Sequence, residues 1–387
     1  MLWFLRARWE GARPLNMPDY LILGFFAVAG LSIFGAGIKE LSIYHLFKLA
    51  EFTGLYFYVK YNSGVIFNFS HSLLAIFGAA FFQSLLAISQ SLLQHGFGLK
   101  ILGESPSLLP STPGVAVFIV NGEKFMRAYG TTPHPNILAA FLLAALFSFC
   151  WIYLARLNFS KKYEKAGLVA YGIILFAFFL TFSRTMIALW GFAMFLHFLF
   201  LFRPAGKQFW KDNKKRILNV IIMTAVAILI FSAFYWPQIE SRITISGDDE
   251  AVSQRIYYNK IAGAASKDNP LFGIGVGQFV PEFMKDVPGM YFPLYQPVHN
   301  IYLLILSETG YIGLGVFLLF GILVIRKFIK KSGLPELHRW SFLIFVFTIL
   351  TIGLFDHFLW TLQPGRMIFW VMLGLIASQY QISNIKN

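Results

Sequence analysis

Charge is scarce in this chain. Only 13% of its residues are Asp, Glu, Lys or Arg, about half the share of a soluble domain, and that excludes an ordinary water-solvated globule. Acids are the scarcer sign, 18 against 32 Lys and Arg, which leaves a formal net charge of +14. In a soluble protein such an excess would point to nucleic acid; in a chain this apolar it is better explained by basic loops retained on one side of a membrane. Cysteine is nearly missing: Cys150 stands alone in an apolar run, so no intrachain disulfide can form and packing must hold the parts outside the membrane. No cleavable signal peptide, low-complexity tract, heptad run or convincing inverted repeat is visible. The first residues (Trp3, Arg6, Arg8, Trp9, Arg13) form a basic, aromatic segment suited to the membrane interface.

What is present is hydrocarbon. The chain is 57% hydrophobic, contains 44 Phe and has a mean hydropathy of +0.64. A span needs roughly 17–25 mostly apolar residues. Candidates are 20–37, 41–59, 71–93, 136–155, 167–182, 185–202, 217–236, 300–325, 340–356 and 366–380, about ten transmembrane helices in one all-α membrane domain covering 1–387. The second, fifth, sixth and last are the weakest, being short or polar. With both termini cytoplasmic, the basic clusters Arg6/Arg8/Arg13, Lys161/Lys162/Lys165, Lys207/Lys211/Lys214/Lys215/Arg216 and Arg326/Lys327/Lys330/Lys331 all fall inside, as the positive-inside rule requires. Two long extracytoplasmic loops result, 94–135 and 237–299, and loops of that length are usually functional. The larger holds an acidic tip, Gly247-Asp248-Asp249-Glu250, and an amphipathic stretch from Ala251 to Ala265, so it should be partly helical.

Polar residues that interrupt the apolar pattern are the candidates for chemistry. His299 stands where the larger loop gives way to a helix, in Pro297-Val298-His299-Asn300-Ile301-Tyr302. The positive end of a helix dipole disfavours imidazolium, and a neutral imidazole can act as a general base. The competing reading is that His299 and Asn300 only cap the helix. Ser183-Arg184 breaks two apolar runs with almost no loop. An ionisable group at that depth marks a site by default, and a guanidinium fork suits phosphate or diphosphate, although an arginine can also snorkel to headgroups. Arg127 to Asn136, including His134 between two prolines, reads as a rigid turn with Asn136 capping the next helix, or as a second polar wall of the same cavity. Asp356, His357 and Arg366 decorate the last outer turn and could line it too. Phe272-Gly273-Ile274-Gly275-Val276-Gly277 lacks the Lys and Ser/Thr of a P-loop and reads as a tight turn. Lys48 with Glu51, and Glu308 within the eighth span, read as interhelical glue. Asp248-Asp249-Glu250 reads as a solvated tip, and no metal site or cofactor is expected.

Taken in order, HPN (134–136), SR (183–184), Arg255 followed by NPLFGIGVGQF (269–279), HNIYLLILSETGYIG (299–313) and FDHFLWTLQPGRMIFW (355–370) resemble the O-antigen ligase and polymerase superfamily of bacterial membrane proteins. The resemblance covers the chain from about residue 70. It implies a GT-C-like, inverting, metal-independent glycosyltransferase at the outer face of the cytoplasmic membrane. The donor would be a glycan on undecaprenyl pyrophosphate. The acceptor would be lipid A–core, a second lipid-linked glycan, a wall polymer or a protein. It also implies that His299, Arg184 and Arg255 are the functional residues. The residues alone select His299 and Arg184; Arg255 would pass as a solvated position on an amphipathic helix. A lipid-linked glycan transporter is the alternative from another class, and it should show paired repeats with polar groups at the midplane.

Overall fold

The computed structural model describes residues 15–63, 69–155, 163–243, 250–331 and 335–382. In chain order the helices are α1 (Met17–Ser32), α2 (Lys39–Asn62), α3 (Phe69–Leu93), α4 (Pro135–Ala155), α5 (Glu164–Leu180), α6 (Arg184–Phe200), α7 (Pro204–Ile243), α8 (Glu250–Asp268), α9 (Phe279–Asp286), α10 (Ile301–Lys331), α11 (Glu336–Phe355), α12 (Phe358–Thr361) and α13 (Gln363–Ile382). Helices thus occupy all ten stretches expected from the apolar runs. Six of them (α1, α3, α4, α7, α10, α11) are long and apolar enough to cross a membrane, which marks a membrane protein. The other four are the second, fifth, sixth and last, which the sequence already sets apart as short or polar. α8 and α9 make the larger loop partly helical, and α7 kinks at Tyr235, just before Pro237, where that loop was expected to begin. The acidic tip at 247–250 and the basic segment before Arg13 lie outside the described residues or side chains.

The fold is all-α in its architecture, with one small strand pair among the described residues. Val117–Val120 (β1) and Glu123–Met126 (β2) form an antiparallel hairpin in the first long loop. Its turn is Asn121-Gly122, both at positive φ, the pair that a two-residue hairpin turn favours.

The chain packs as two compact units. The first comprises residues 1–66, 248–333 and 349–387. In it α10 packs on α1, α8 and α13, and α13 packs on α2. Phe25 meets Phe317 at 5.3 Å, and Tyr56 meets Phe320 at 5.4 Å. A fully buried ion pair joins Lys60 to Asp19. The hydroxyls of Tyr56 and Tyr61 donate to the same carboxylate at 3.3 and 3.2 Å, and Asp19 also accepts the Asn16 N–H at the start of α1. Removing one member of such a pair leaves a buried charge without compensation. Lys60→Met should therefore destabilise the protein by about 3–5 kcal/mol, and adding Asp19→Asn should restore most of the loss. Thermal unfolding in detergent tests this; an unchanged midpoint in Lys60→Met would show that the tyrosines alone hold Asp19.

α10 is broken at Gly310, whose φ of 70° and ψ of −175° are not helical. A Cβ there would lie 2.2 Å from the Leu271 carbonyl oxygen, so only glycine fits. The glycine-rich stretch runs against the break. Ile274 N–H donates to the Ser307 carbonyl at 2.9 Å, Gly275 N–H to Glu308 at 3.1 Å, and Tyr311 N–H to Pro270 at 2.8 Å. The Glu308 carboxylate accepts the N–H groups of Gly277 and Phe279. The stretch is a tight turn, as read, and its N–H groups repair the broken helix.

The second unit comprises residues 67–247 and 334–348. α3, α4, α5 and α7 form its core, where Phe149 stacks on Phe77, Tyr153 and Tyr171 at 5.0–5.1 Å. Buried Glu104 ties down the first loop by accepting from Gln90 Nε2 at 2.7 Å and from the Phe97 N–H at 2.8 Å.

Candidate functional site

In the first unit, His299 sits at the mouth of α10. Asn300 caps that helix: its Oδ1 accepts the N–H groups of Tyr302 and Leu303 at 2.9 and 3.1 Å. The capping reading holds for Asn300 and not for His299, which makes none of these bonds. The His299 ring lies nearly parallel to His357 (4.9 Å, 19°) and edge-on to Tyr258 (5.9 Å). Its buried Nδ1 has no hydrogen-bond partner and stands 4.0 Å from Asp356 Oδ1. That is too long for a hydrogen bond but close enough for charge compensation. Asp356 is fixed by the backbone, its Oδ1 accepting the N–H groups of His357 at 2.8 Å and Phe358 at 3.4 Å. His357 Nδ1 is engaged with the Thr361 hydroxyl at 2.6 Å.

Burial, and then the neighbouring His357, lower the His299 pKa from 6.5 to about 4; Arg255 adds to this and Asp356 opposes it. Arg255 is thus close enough for its charge to act on His299. Its helix α8 also carries Tyr258, which packs on the same imidazole and donates to the Leu294 carbonyl at 2.7 Å. The imidazole is neutral at pH 7 and available as a base. The sign for stability follows directly. The unfolded chain protonates near 6.5 and the folded one near 4, so stability contributed by the neutral ring is present above 6.5 and lost as pH falls toward 4. A reaction that needs this base should keep its rate as pH drops through the ordinary histidine range and lose it only near 4. A pH–rate profile with its acid limb at 6.5 would contradict the burial argument.

His299, Asp356 and His357 are also the group, among the described residues, whose ligand-type atoms lie within 4.8 Å of one another. Their orientation does not suit a metal. The in-plane lone pairs of two near-parallel stacked rings do not converge on one point, and His357 Nδ1 is already engaged. The arrangement fits a base, a carboxylate beside it and a packing partner.

Arg366 belongs to the same unit. It lines a cavity of about 30 Å³ with His45, Lys48, Glu308, Thr361 and Trp370, and its Nε donates to the Trp360 carbonyl. Lys48 pairs with Glu51 at 2.9 Å, as the spacing predicts. The cavity has room for about one or two waters and none for a sugar.

In the second unit, three motifs meet. Arg127, buried, donates from Nε to the Thr181 carbonyl at 2.6 Å and from Nη2 to Asn136 Oδ1 at 2.8 Å. The Ser183 hydroxyl donates to the same oxygen at 3.0 Å. Asn136 therefore does not cap α4 through its side chain; His134 Nδ1 accepts the Asn136 N–H at 3.1 Å instead. The reversal between α5 and α6 takes three residues, with Phe182 in the left-handed region (φ 45°). Such a φ is strained for a bulky residue. Phe118 at 4.6 Å and Phe231 at 5.5 Å hold the ring in place, and this fixes Ser183 and Arg184 at the first turn of α6. Arg184 is half-buried.

Residues 169–318 match the O-antigen ligase (Wzy_C) family. This bears out the resemblance to the O-antigen ligase and polymerase superfamily. The matched segment contains Arg184, Arg255, His299 and Asn300 and leaves out Arg127, His134, Asn136, Asp356, His357 and Arg366. No curated protein matches the chain.

Proposed function

Because its central segment matches the O-antigen ligase family, we propose that this membrane protein is a glycosyltransferase of surface polysaccharide biosynthesis. It moves a glycan from undecaprenyl pyrophosphate to an acceptor hydroxyl at the outer face of the bacterial cytoplasmic membrane. The observation that carries the reading is the half-buried imidazole of His299, its Nδ1 enclosed beside Asp356, with Arg255 within electrostatic reach.

In this reading the acceptor oxygen attacks the anomeric carbon from the face opposite the leaving group. The bond from that carbon to the phosphate oxygen breaks, and the diphosphate leaves with the electron pair. The anomeric configuration inverts. The hydroxyl proton goes to His299, and the Asp356 carboxylate compensates the imidazolium that forms, the part that a buried acid plays beside a histidine base. A diphosphate is already a good leaving group, so charge stabilisation matters more than protonation. Arg255 supplies it, and the resemblance assigns the same task to Arg184. No step calls for a metal. The acceptor can be lipid A–core, a second lipid-linked glycan as in a polymerase, or a protein. Which acceptor is used separates the members of the superfamily.

The test is to incubate purified protein with labelled undecaprenyl-pyrophosphoryl glycan and each acceptor class, and to analyse the products by mass. The expected result is a new, inverted glycosidic bond and free undecaprenyl pyrophosphate, unchanged by a chelator. Glycolipid flux across a reconstituted bilayer without any new bond would replace this reading with a transporter.

A further inference from the structure

The second unit holds an apolar cavity that the proposed chemistry does not use. Its volume is about 440 Å³, and its lining comes from α4, α6, α7 and the first turns of α11, including Trp151, Trp190, Phe209, Ile217, Ile228 and His338. On α6 the lining runs from Trp190 to Phe200, toward the end opposite the Ser183–Arg184 reversal. On α7 it runs from Phe209 to Ile228, and the stretch from Ile217 to Ile228 alone is about 17 Å of helix, enough for much of a fatty acyl chain. Two of its walls, Phe198 and Ile221, are exposed, so the cavity opens sideways on an apolar surface.

Its polar lining is sparse: His197 is engaged with the Ser341 hydroxyl at 3.0 Å, and Thr224, Trp190 and His338 are spread along the slot. Neither ring nitrogen of His338 has a hydrogen-bond partner, and the indole N–H of Trp190, which is 8% exposed, has none either. Buried donors without partners are unusual enough to need an explanation. His338 lies in the first turn of α11, next to a cationic rim. Arg203 lies over the Trp340 ring at 4.3 Å and pairs with Glu336 at 3.5 Å, yet remains half exposed. Lys207 follows one turn later, its N–H donating to the Arg203 carbonyl, and Lys211, Lys214 and Lys215 continue the exposed basic face of α7. A dry slot, a free imidazole at its mouth and cations around the rim match, in that order, the acyl chain, the ester oxygens and the phosphate of a lipid.

We propose that this cavity is a binding site for one anionic phospholipid. Its acyl chain fills the slot, an ester oxygen accepts from His338, and its phosphate lies against Arg203 and Lys207. The charge bias assigns this end of the unit to the cytoplasmic side, so the lipid comes from the inner leaflet. The site stands independently of the transfer chemistry.

Native mass spectrometry of the full-length protein, released from micelles containing phosphatidylglycerol, phosphatidylcholine or undecaprenyl phosphate, tests the proposal. One phosphatidylglycerol should be retained, with a preference of roughly thirtyfold over phosphatidylcholine from two cations. Arg203→Ala with Lys207→Ala should abolish the preference, and Ala225→Trp, which crowds the cavity wall, should abolish retention. Cys150, the single cysteine of the chain, also lines the cavity. In the unaltered protein its reaction with a small maleimide should slow when phosphatidylglycerol is added, a readout that needs no variant to fold. Equal retention of both phospholipids, preferential retention of undecaprenyl phosphate, or a Cys150 rate indifferent to phosphatidylglycerol would each overturn the proposal.

Discussion

Replacing His299 with alanine should slow glycan transfer by about 10²–10⁴-fold, the usual contribution of a positioned general base, while the protein still inserts and folds. The side chain makes none of the capping bonds of α10; Asn300 makes those. Its removal therefore deletes the proposed proton acceptor and leaves the helix start intact. Asn300→Ala gives the contrasting result. It should cost about 1 kcal/mol of stability through the lost cap and reduce rate far less. Initial rates with a labelled lipid-linked donor, alongside thermal unfolding of both variants, separate the two roles. A His299→Ala protein that unfolds normally and retains its rate to within about tenfold would remove the base from the mechanism. Asp356→Asn keeps the shape but loses the charge 4.0 Å from Nδ1. It should lower kcat with little change in KM, because the carboxylate compensates a charge that exists only after proton transfer.

What could be read in the sequence follows from which physical signals are local. Apolar runs of bilayer length are local, so helices stand at all ten expected stretches, and the four short or polar ones are those that fail the length and composition test for a span. His299 was legible because a lone imidazole stood at the boundary between a polar loop and an apolar run. Asp356 and His357 were legible only as an outer turn. That one would face Nδ1 and the other stack on the ring depends on α10 and α12 coming together across 57 positions, and periodicity carries no such information. Arg255 drew attention through resemblance alone. Its relation to His299 comes from α8 laying Tyr258 against the imidazole. Asn136 misled because asparagine after proline favours a cap, whereas the tertiary demand of Arg127 and Ser183 took its side chain. The hairpin was missed because Asn121-Gly122, a pair favoured in two-residue hairpin turns, is followed by Glu-Lys-Phe-Met (123–126), half of it charged. The break in α10 was invisible because an apolar run looks the same whether its helix is whole or opened at Gly310.

Arg255→Ala and Arg184→Ala should each lower the rate by about 10²–10³-fold, the range found when one preorganised donor to a developing negative charge is removed. The loss should fall mainly on kcat, because the diphosphate gains charge as the glycosidic bond breaks and a guanidinium already in place stabilises that gain most. Lysine at either position separates charge from geometry. It restores a cation but not the planar fork that matches two phosphate oxygens, so Arg255→Lys should recover part of the rate and leave KM for the donor raised. Arg255 has a second effect that alanine exposes. Its charge helps hold the His299 pKa down, so in Arg255→Ala the acid limb of the pH–rate profile should move up from about 4, and in Arg255→Lys it should move less. Arg184→Ala should lower the rate. A pH profile unmoved in Arg255→Ala, together with a rate near that of the unaltered protein, would separate α8 from the reacting groups and leave the imidazole without its cation.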